Sequence, residues 1–233
     1  KYNHFSLTKN NKNYELNGNT FDAAILIDMA LEGGTNRDAS SVFNNLNSSL
    51  AIKIDKTYID KISFINNLIG NIDFTNNKIN KLTLESNFSN NQKIILTINT
   101  TDNNEQVTTL HSSFPKPLVK RYKFIKGFEE GVLDFYSIKK NNVSKSVLKI
   151  DNFKVKEVPV LAKLLSLASL QGIADLLTGE GIRFTDFEMI FSNEDRLMTI
   201  EEIYAIGPAI SIMMSGYIEK DNLISLRGTL VPA

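Results

Sequence analysis

Catalytic and metal sites draw on a short list of residue types, and this chain holds few of them. It has no cysteine and two histidines, His4 and His111, in 233 residues. The missing thiols exclude disulfide scaffolds, thiolate metal sites and cysteine nucleophiles. A nucleophilic triad needs a histidine set between a hydroxyl and an acid. His111 stands in Leu110-His111-Ser112-Ser113 with no motif around it, and His4 lies near the start of the chain. Both read as solvated or capping histidines. The acidic pairs Glu129-Glu130, Glu194-Asp195 and Glu201-Glu202 fall in loop-like or exposed contexts. No carboxylate occupies an apolar strand position that would force its pKa upward, as a general acid requires. Gly179-Glu180-Gly181 closes a helical pattern and leads into a strand. A phosphate cradle needs the reverse polarity, with glycines opening a helix. No catalytic residue, metal ligand or cofactor is expected.

The basic cluster Lys116, Lys120, Arg121, Lys123 and Lys126 is interleaved with Tyr122 and Phe124. It suits a solvated face offset by Glu129 and Glu130, a contact with anionic lipid head groups through Lys120, Arg121 and Lys123, or a nucleic-acid patch. Lys plus Arg equals Asp plus Glu at 26 each. That balance removes the general basic field on which nucleic-acid binding relies, so no nucleic-acid partner is expected. A hydrophobic content of 42% describes a folded chain.

The elements that must position these residues are strands. Leu50, Ile52 and Ile54 alternate with Ala51, Lys53 and Asp55, and the same period of two runs through Phe21–Met29, Leu68–Phe74, Leu82–Leu84 and Ile94–Ile98. Such alternation marks antiparallel strands with one apolar and one wet face. Turn signals separate them, many of them asparagine: the chain has 27, concentrated before Glu105. Asparagine tolerates the left-handed backbone that tight turns demand. Two prolines in Ser113-Phe114-Pro115-Lys116-Pro117 exclude a central strand there, and Leu118–Tyr122 suits a short helix. Strands resume at Gly131–Lys139 and Ser146–Phe153, and four more follow from Gly181 to Leu230. Between them, Val158–Thr178 carries Leu161, Leu164, Leu165, Ala168, Ile173 and Leu176 at helical spacing, with Gly179 as its stop. It would plug or cover part of the sheet. The sum is about a dozen strands and one helical segment near 158–178 in a single unit, 1–233. The first residue is Lys1 and the last block is Leu230-Val231-Pro232-Ala233, which reads as a fragment of a longer protein.

From Asp151 onward the residues follow a familiar succession. Asp151-Asn152-Phe153-Lys154-Val155-Lys156-Glu157-Val158-Pro159 leads into the leucine-rich segment Leu161–Leu177. Thr178-Gly179-Glu180-Gly181-Ile182-Arg183-Phe184, Gly207-Pro208-Ala209 and Gly228-Thr229-Leu230-Val231-Pro232-Ala233 then complete it. This resembles the C-terminal region of AsmA-like proteins of the YhdP type, bacterial counterparts of bridge-like lipid-transfer proteins. The match is strongest over 151–233. The resemblance implies a long curved antiparallel sheet forming an open, taco-like groove. It also implies a periplasmic protein anchored to the inner membrane by parts outside this sequence, and a role in phospholipid transport toward the outer membrane without catalysis.

The physics of the cargo agrees with such a face. Exposing a methylene to water costs about 0.8 kcal/mol, so a 16-carbon acyl chain costs on the order of 12 kcal/mol. Such a lipid must stay on apolar surface throughout, and a dozen strands at roughly 4.8 Å spacing would give a track of about 60 Å. The inward side chains would be Phe21, Ile25, Ile27, Leu50, Ile52, Ile54, Ile72, Phe74, Leu82, Leu84 and Leu96 in the first half. In the second half they would be Leu133, Phe135, Leu148, Ile150, Phe184, Met189, Phe191, Ile210, Ile212, Met214 and Leu226. The same alternation also serves a closed, structural or adhesive β-sandwich whose two inner faces pack together.

Overall fold

The computed structural model describes residues 3–11, 13–24, 47–76, 78–89, 92–122, 127–156, 181–219 and 223–232. Strand follows strand. The first seven are β1 (His4–Asn10), β2 (Asn13–Asp22), β3 (Ser48–Tyr58), β4 (Phe64–Thr75), β5 (Lys78–Asn87), β6 (Lys93–Thr100) and β7 (Gln106–Ser112). A short helix, α1 (Lys116–Tyr122), comes next. The chain continues through β8 (Phe128–Lys140), β9 (Val143–Val155), β10 (Ile182–Glu194), β11 (Leu197–Ile206), β12 (Ile210–Glu219) and β13 (Ile224–Pro232). All thirteen strands belong to one open sheet in chain order, with β1 and β13 at its ends. The fold is mainly β, as the alternation predicts. The helical segment expected at 158–178 lies outside the described residues, as do Ile25 and Ile27.

The β2–β3 pairing departs from the expected antiparallel sheet. β2 and β3 run parallel, Leu16 beside Ile52 and Gly18 beside Ile54. Parallel neighbours need a crossover of a dozen or more residues, and residues 23–47 supply one. Of the apolar alternation at Phe21–Met29, β2 takes in Phe21 and Asp22, and residues 25–29 lie outside the described residues. At the end of β2 the Asp22 carboxylate accepts a hydrogen bond from the Ala24 amide (3.1 Å), a local turn that competes with the sheet ladder.

Asparagine does the turning. Asn11, Asn76, Asn104 and Asn141 take φ between +50° and +56° between consecutive strands, and Asp195 takes φ +49° between β10 and β11. The chain divides into two compact units, Lys1–Thr109 and Leu110–Ala233.

In the first unit, register aligns apolar residues into rows across the strands. Tyr14, Leu50, Ile72, Leu82 and Ile98 form one row, and Leu16, Ile52, Gly70, Leu84 and Leu96 the next. The opposite face carries Asn17, Lys53, Ile69, Glu85 and Ile95 in one row, and Glu15, Ala51, Asn71, Thr83 and Thr97 in another. Burial deepens toward the β3–β4 turn, where Ile54, Thr57, Ile59 and Ile65 are all buried.

In the second unit the core sits at one end of the strands. Val119 of α1 packs with Phe128, Leu133, Ile150, Phe153, Val155, Ile182, Phe184, Ala205, Ala209 and Ile210. Phe153 is its centre, with Phe128 and Phe184 stacked against it at 5.3 Å and Phe187 edge-on at 6.1 Å.

Strict alternation fails at repeated places, and the failures share one sequence form. Ile54-Asp55-Lys56-Thr57, Ile65-Asn66-Asn67-Leu68, Ile150-Asp151-Asn152-Phe153, Phe184-Thr185-Asp186-Phe187 and Ile200-Glu201-Glu202-Ile203 each set two polar residues between two inward ones. The ladder skips Asp55 and Asn67 between β3 and β4, and Asn152 and Thr185 between β9 and β10. Between β10 and β11 it shifts at Ile190/Phe191, where Glu201 is the extra residue. That last shift is a β-bulge, which bends a strand and re-aims its side chains. At Asp55/Asn67 and Asn152/Thr185 one residue on each strand goes unpaired and the register is kept, so both strands turn their side chains over together. Asn67 (φ 53°) and Asn152 (φ 52°) supply the left-handed backbone. Glu201 and Glu202 therefore lie inside β11 rather than in a loop, both exposed on the outer side of the bulge.

Candidate functional site

The residues of chemical interest are spread over the wet face. His111 Nδ1 lies 2.8 Å from Asp134 Oδ1, with both side chains exposed. On the same face Asp134 sits in register with Lys149, and Lys149 with Glu188. The Lys149 ammonium reaches the Glu188 carboxylate at 2.6 Å. His111 thus belongs to a row of exposed ion pairs across β7 to β10. Nearer α1, Glu129 accepts from Lys156 (2.9 Å) and Lys116 (3.4 Å). Glu130, held in the left-handed region at φ 65°, pairs with Lys154 (3.1 Å) and Arg183 (3.4 Å). Among the described residues no group of three or more histidines and carboxylates could hold a metal ion.

These pairs set a pH dependence. The Lys156 hydrogen bond holds the Glu129 carboxyl below the ordinary glutamate range, and the Lys154 hydrogen bond does the same for Glu130. The Glu188 carboxylate raises the Lys149 ammonium. A depressed carboxylate contributes stability above its unfolded pKa and loses it as pH falls through the folded value. A raised lysine contributes below its unfolded pKa and loses it as pH rises through the folded one. The urea midpoint should therefore fall on acidification below about pH 4.5, and again on alkalinisation above about pH 10.5. The double variant Glu129→Gln/Glu130→Gln should flatten the acid limb and leave the alkaline limb in place. An unchanged acid limb would show that these exposed pairs are fully screened.

The apolar face has a different character. Register and the bulges bring Phe21, Leu50, Ile52, Ile54, Ile72, Leu82, Leu84 and Leu96 to one side of the first unit. Phe21 joins them because the β1–β2 and β2–β3 pairings both skip Asn19, and its ring meets Phe5 edge-on at 5.4 Å. Phe74 pairs with Ser48 at the end of that face. In the second unit Leu133, Ile150, Phe187, Ala205, Ile212 and Leu230 form one row. Phe135, Leu148, Met189, Ile203, Met214 and Gly228 form the next, followed by Ser137, Ser146, Phe191, Ile200, Gly216 and Leu226.

Burial separates these residues into two groups. Ile54, Leu82, Leu133, Ile150, Phe184 and Ile210 are buried by the protein's own side chains and are core. They were expected to line a groove. At Leu133, Ile150, Phe184 and Ile210 the α1 end of the face is filled by Val119 and the aromatic stack. Leu50, Ile52, Ile72, Leu84, Leu96, Phe135, Leu148, Met189, Phe191, Ile212 and Met214 are half-buried, and Leu226 is exposed. Lys120 is exposed on α1, at the filled end, and Arg121 lies in the same helix. Lys123 lies outside the described residues.

No family model, curated protein or solved structure matches the chain. No described helix is long and apolar enough to cross a membrane.

Alternation alone does not find Phe187 or Ile203 on the apolar face of the second unit. Phe184 and Met189 are five apart, so an unbroken strand would put them on opposite sides. The signal is the pair of polar residues between apolar ones, as in Phe184-Thr185-Asp186-Phe187.

Proposed function

We propose that this chain is a segment of an AsmA-like lipid-transfer protein that holds phospholipid acyl chains non-covalently on its apolar sheet face, without catalysis or cofactor, and works in the periplasm between the two membranes. The observation that carries the reading is the half-buried state of the aligned apolar rows. Leu50, Ile52, Ile72, Leu84 and Leu96 in the first unit, and Phe135, Leu148, Met189 and Met214 in the second, keep solvent access although each row is continuous across several strands. A sheet that needed its apolar face only for a core would cover it, as the protein does at Phe153. The methionines suit a guest that slides, because their flexible thioethers adapt to changing shapes. The resemblance from Asp151 onward points the same way.

Protein purified without detergent is expected to carry phospholipid visible by native mass spectrometry. With a photoreactive residue at Leu84 or Met214, Ile52→Asp or Ile212→Asp should lower lipid cross-linking by about tenfold, because an ionised carboxylate beside hydrocarbon costs several kcal/mol. Lys53→Asp, on the wet face, should leave cross-linking unchanged. A lipid-free spectrum, with cross-linking indifferent to all three changes, would overturn the reading in favour of a structural or adhesive β domain.

A further inference from the structure

The apolar face of the second unit is polarised along its strands. At the α1 end the aromatic stack and Val119 fill it with buried side chains. Two rows of apolar residues follow, beginning at Leu133 and Phe135. Next come Ser137 and Ser146, paired in register, with Ser146 Oγ donating to Ser137 Oγ at 2.9 Å. The last row, beside the β8–β9 and β10–β11 turns, begins Lys139, Ser144, Asn193. Successive rows lie two residues apart, about 6.7 Å along the strands. From the Leu133 row to the Lys139 row, twenty-four positions share this face and only Lys139 is charged.

Lys139 also differs from the other cations of the unit that have partners. Lys116, Lys149, Lys154, Lys156 and Arg183 each pair with a carboxylate on the wet face. Lys139 is exposed, and among the described residues no hydrogen bond or ion pair engages its ammonium, nor the Asn193 amide and Ser144 hydroxyl in its row. The neighbouring charges Lys140 and Glu194 belong to the next register position, which points to the opposite face.

We infer that Lys139 receives the anionic head group of the lipid on this face, so the preferred guest is an anionic phospholipid lying with its head at the β8–β9 turn and its tails toward α1. This rests on the lipid reading and deepens it. A cation on a methylene stem can lie along apolar surface while its ammonium stays in water, where a phosphate can reach it. Asn193 and Ser144 add neutral donors beside it. The arrangement follows an amphiphile from end to end, with charge at the mouth, hydrocarbon in the middle and a sealed base. It moves the head-group contact away from Lys120, which stands at the sealed end.

The test uses the whole chain and two fluorescent lipids with identical tails, phosphatidylglycerol and diacylglycerol. The wild type should bind phosphatidylglycerol about tenfold more tightly, the scale of one hydrogen bond to a charged group. Lys139→Gln should erase that preference and leave diacylglycerol binding intact, Lys139→Arg should restore it, and Lys120→Gln should not change it. The preference should shrink with added salt. Excess inorganic phosphate should not displace the lipid. A preference that survives Lys139→Gln, or that is lost in Lys120→Gln alone, overturns the assignment while leaving the lipid reading in place. Displacement by inorganic phosphate overturns it as well, reducing the contact to a simple anion site. Binding of neither lipid overturns the lipid reading itself.

Discussion

Phe153→Ala is expected to destabilise the protein by about 4 kcal/mol, the scale of a large-to-small change at a buried aromatic position. The side chain is 2% exposed and touches three other rings, Phe128, Phe184 and Phe187. Its removal loses transfer free energy and leaves a hole that stacked rings on different strands cannot close. Aromatic pairing adds to the loss beyond area burial. Ile150, fully buried next to it, would gain an empty neighbour. Urea unfolding followed by circular dichroism measures the change. Phe5→Ala is the control: Phe5 lies on edge strand β1 at 43% exposure, and its loss should cost less than about 1 kcal/mol. Equal costs for the two variants would mean that the aromatic stack does not anchor the second unit.

Gly70→Ala should cost about 3 kcal/mol, the upper range for forcing an extra methyl into packed structure. Gly70 sits in the middle of β4, in the row between Ile52 and Leu84. A Cβ there would lie 2.0 Å from the Thr83 carbonyl oxygen and 2.8 Å from Leu84 Cδ2. The leucine methyl can swing aside, but the carbonyl belongs to the backbone of β5 and is held by the ladder. The strand must therefore shift, and the β4–β5 register with it. Helix and sheet propensities alone would predict a gain for this change, since glycine in a strand interior is entropically unfavourable. The sign of the measured effect thus separates close backbone approach from intrinsic preference. A neutral or stabilising result would show that β5 stands farther from Gly70.

Much of this architecture is written in local pattern. The period of two at Leu50–Asp55 and Leu82–Leu84 marks strands directly, because a strand sends neighbouring side chains to opposite faces. The asparagine clusters mark turns for a steric reason, and Asn11, Asn76, Asn104 and Asn141 take the left-handed backbone that reason requires. The prolines around Lys116 announce the break where α1 forms. Strands β1 and β7 are less legible: Phe5-Ser6-Leu7 and Val107-Thr108-Thr109-Leu110 carry too few apolar residues to display a period, and their pairing comes from neighbours.

What the sequence by itself determined is the kind of element and the existence of an apolar face, since both follow from contacts between residues close in the chain. Tertiary structure decided three further things. It made β2 and β3 parallel, because the partner of a strand is chosen by contacts distant in the chain and not by the strand's own pattern. It left Asn152 and Thr185 unpaired on their two strands, which restores Phe153 and Phe184 to the face that alternation would deny them. It also divided that face into a filled end and an accessible remainder. Ile150 and Leu148 look alike in sequence, yet one is fully buried and the other half-buried, because Ile150 belongs to the buried cluster around Phe153 and Leu148 packs only against its margin. Burial depends on what other parts of the chain bring to a residue, and no local spacing records that.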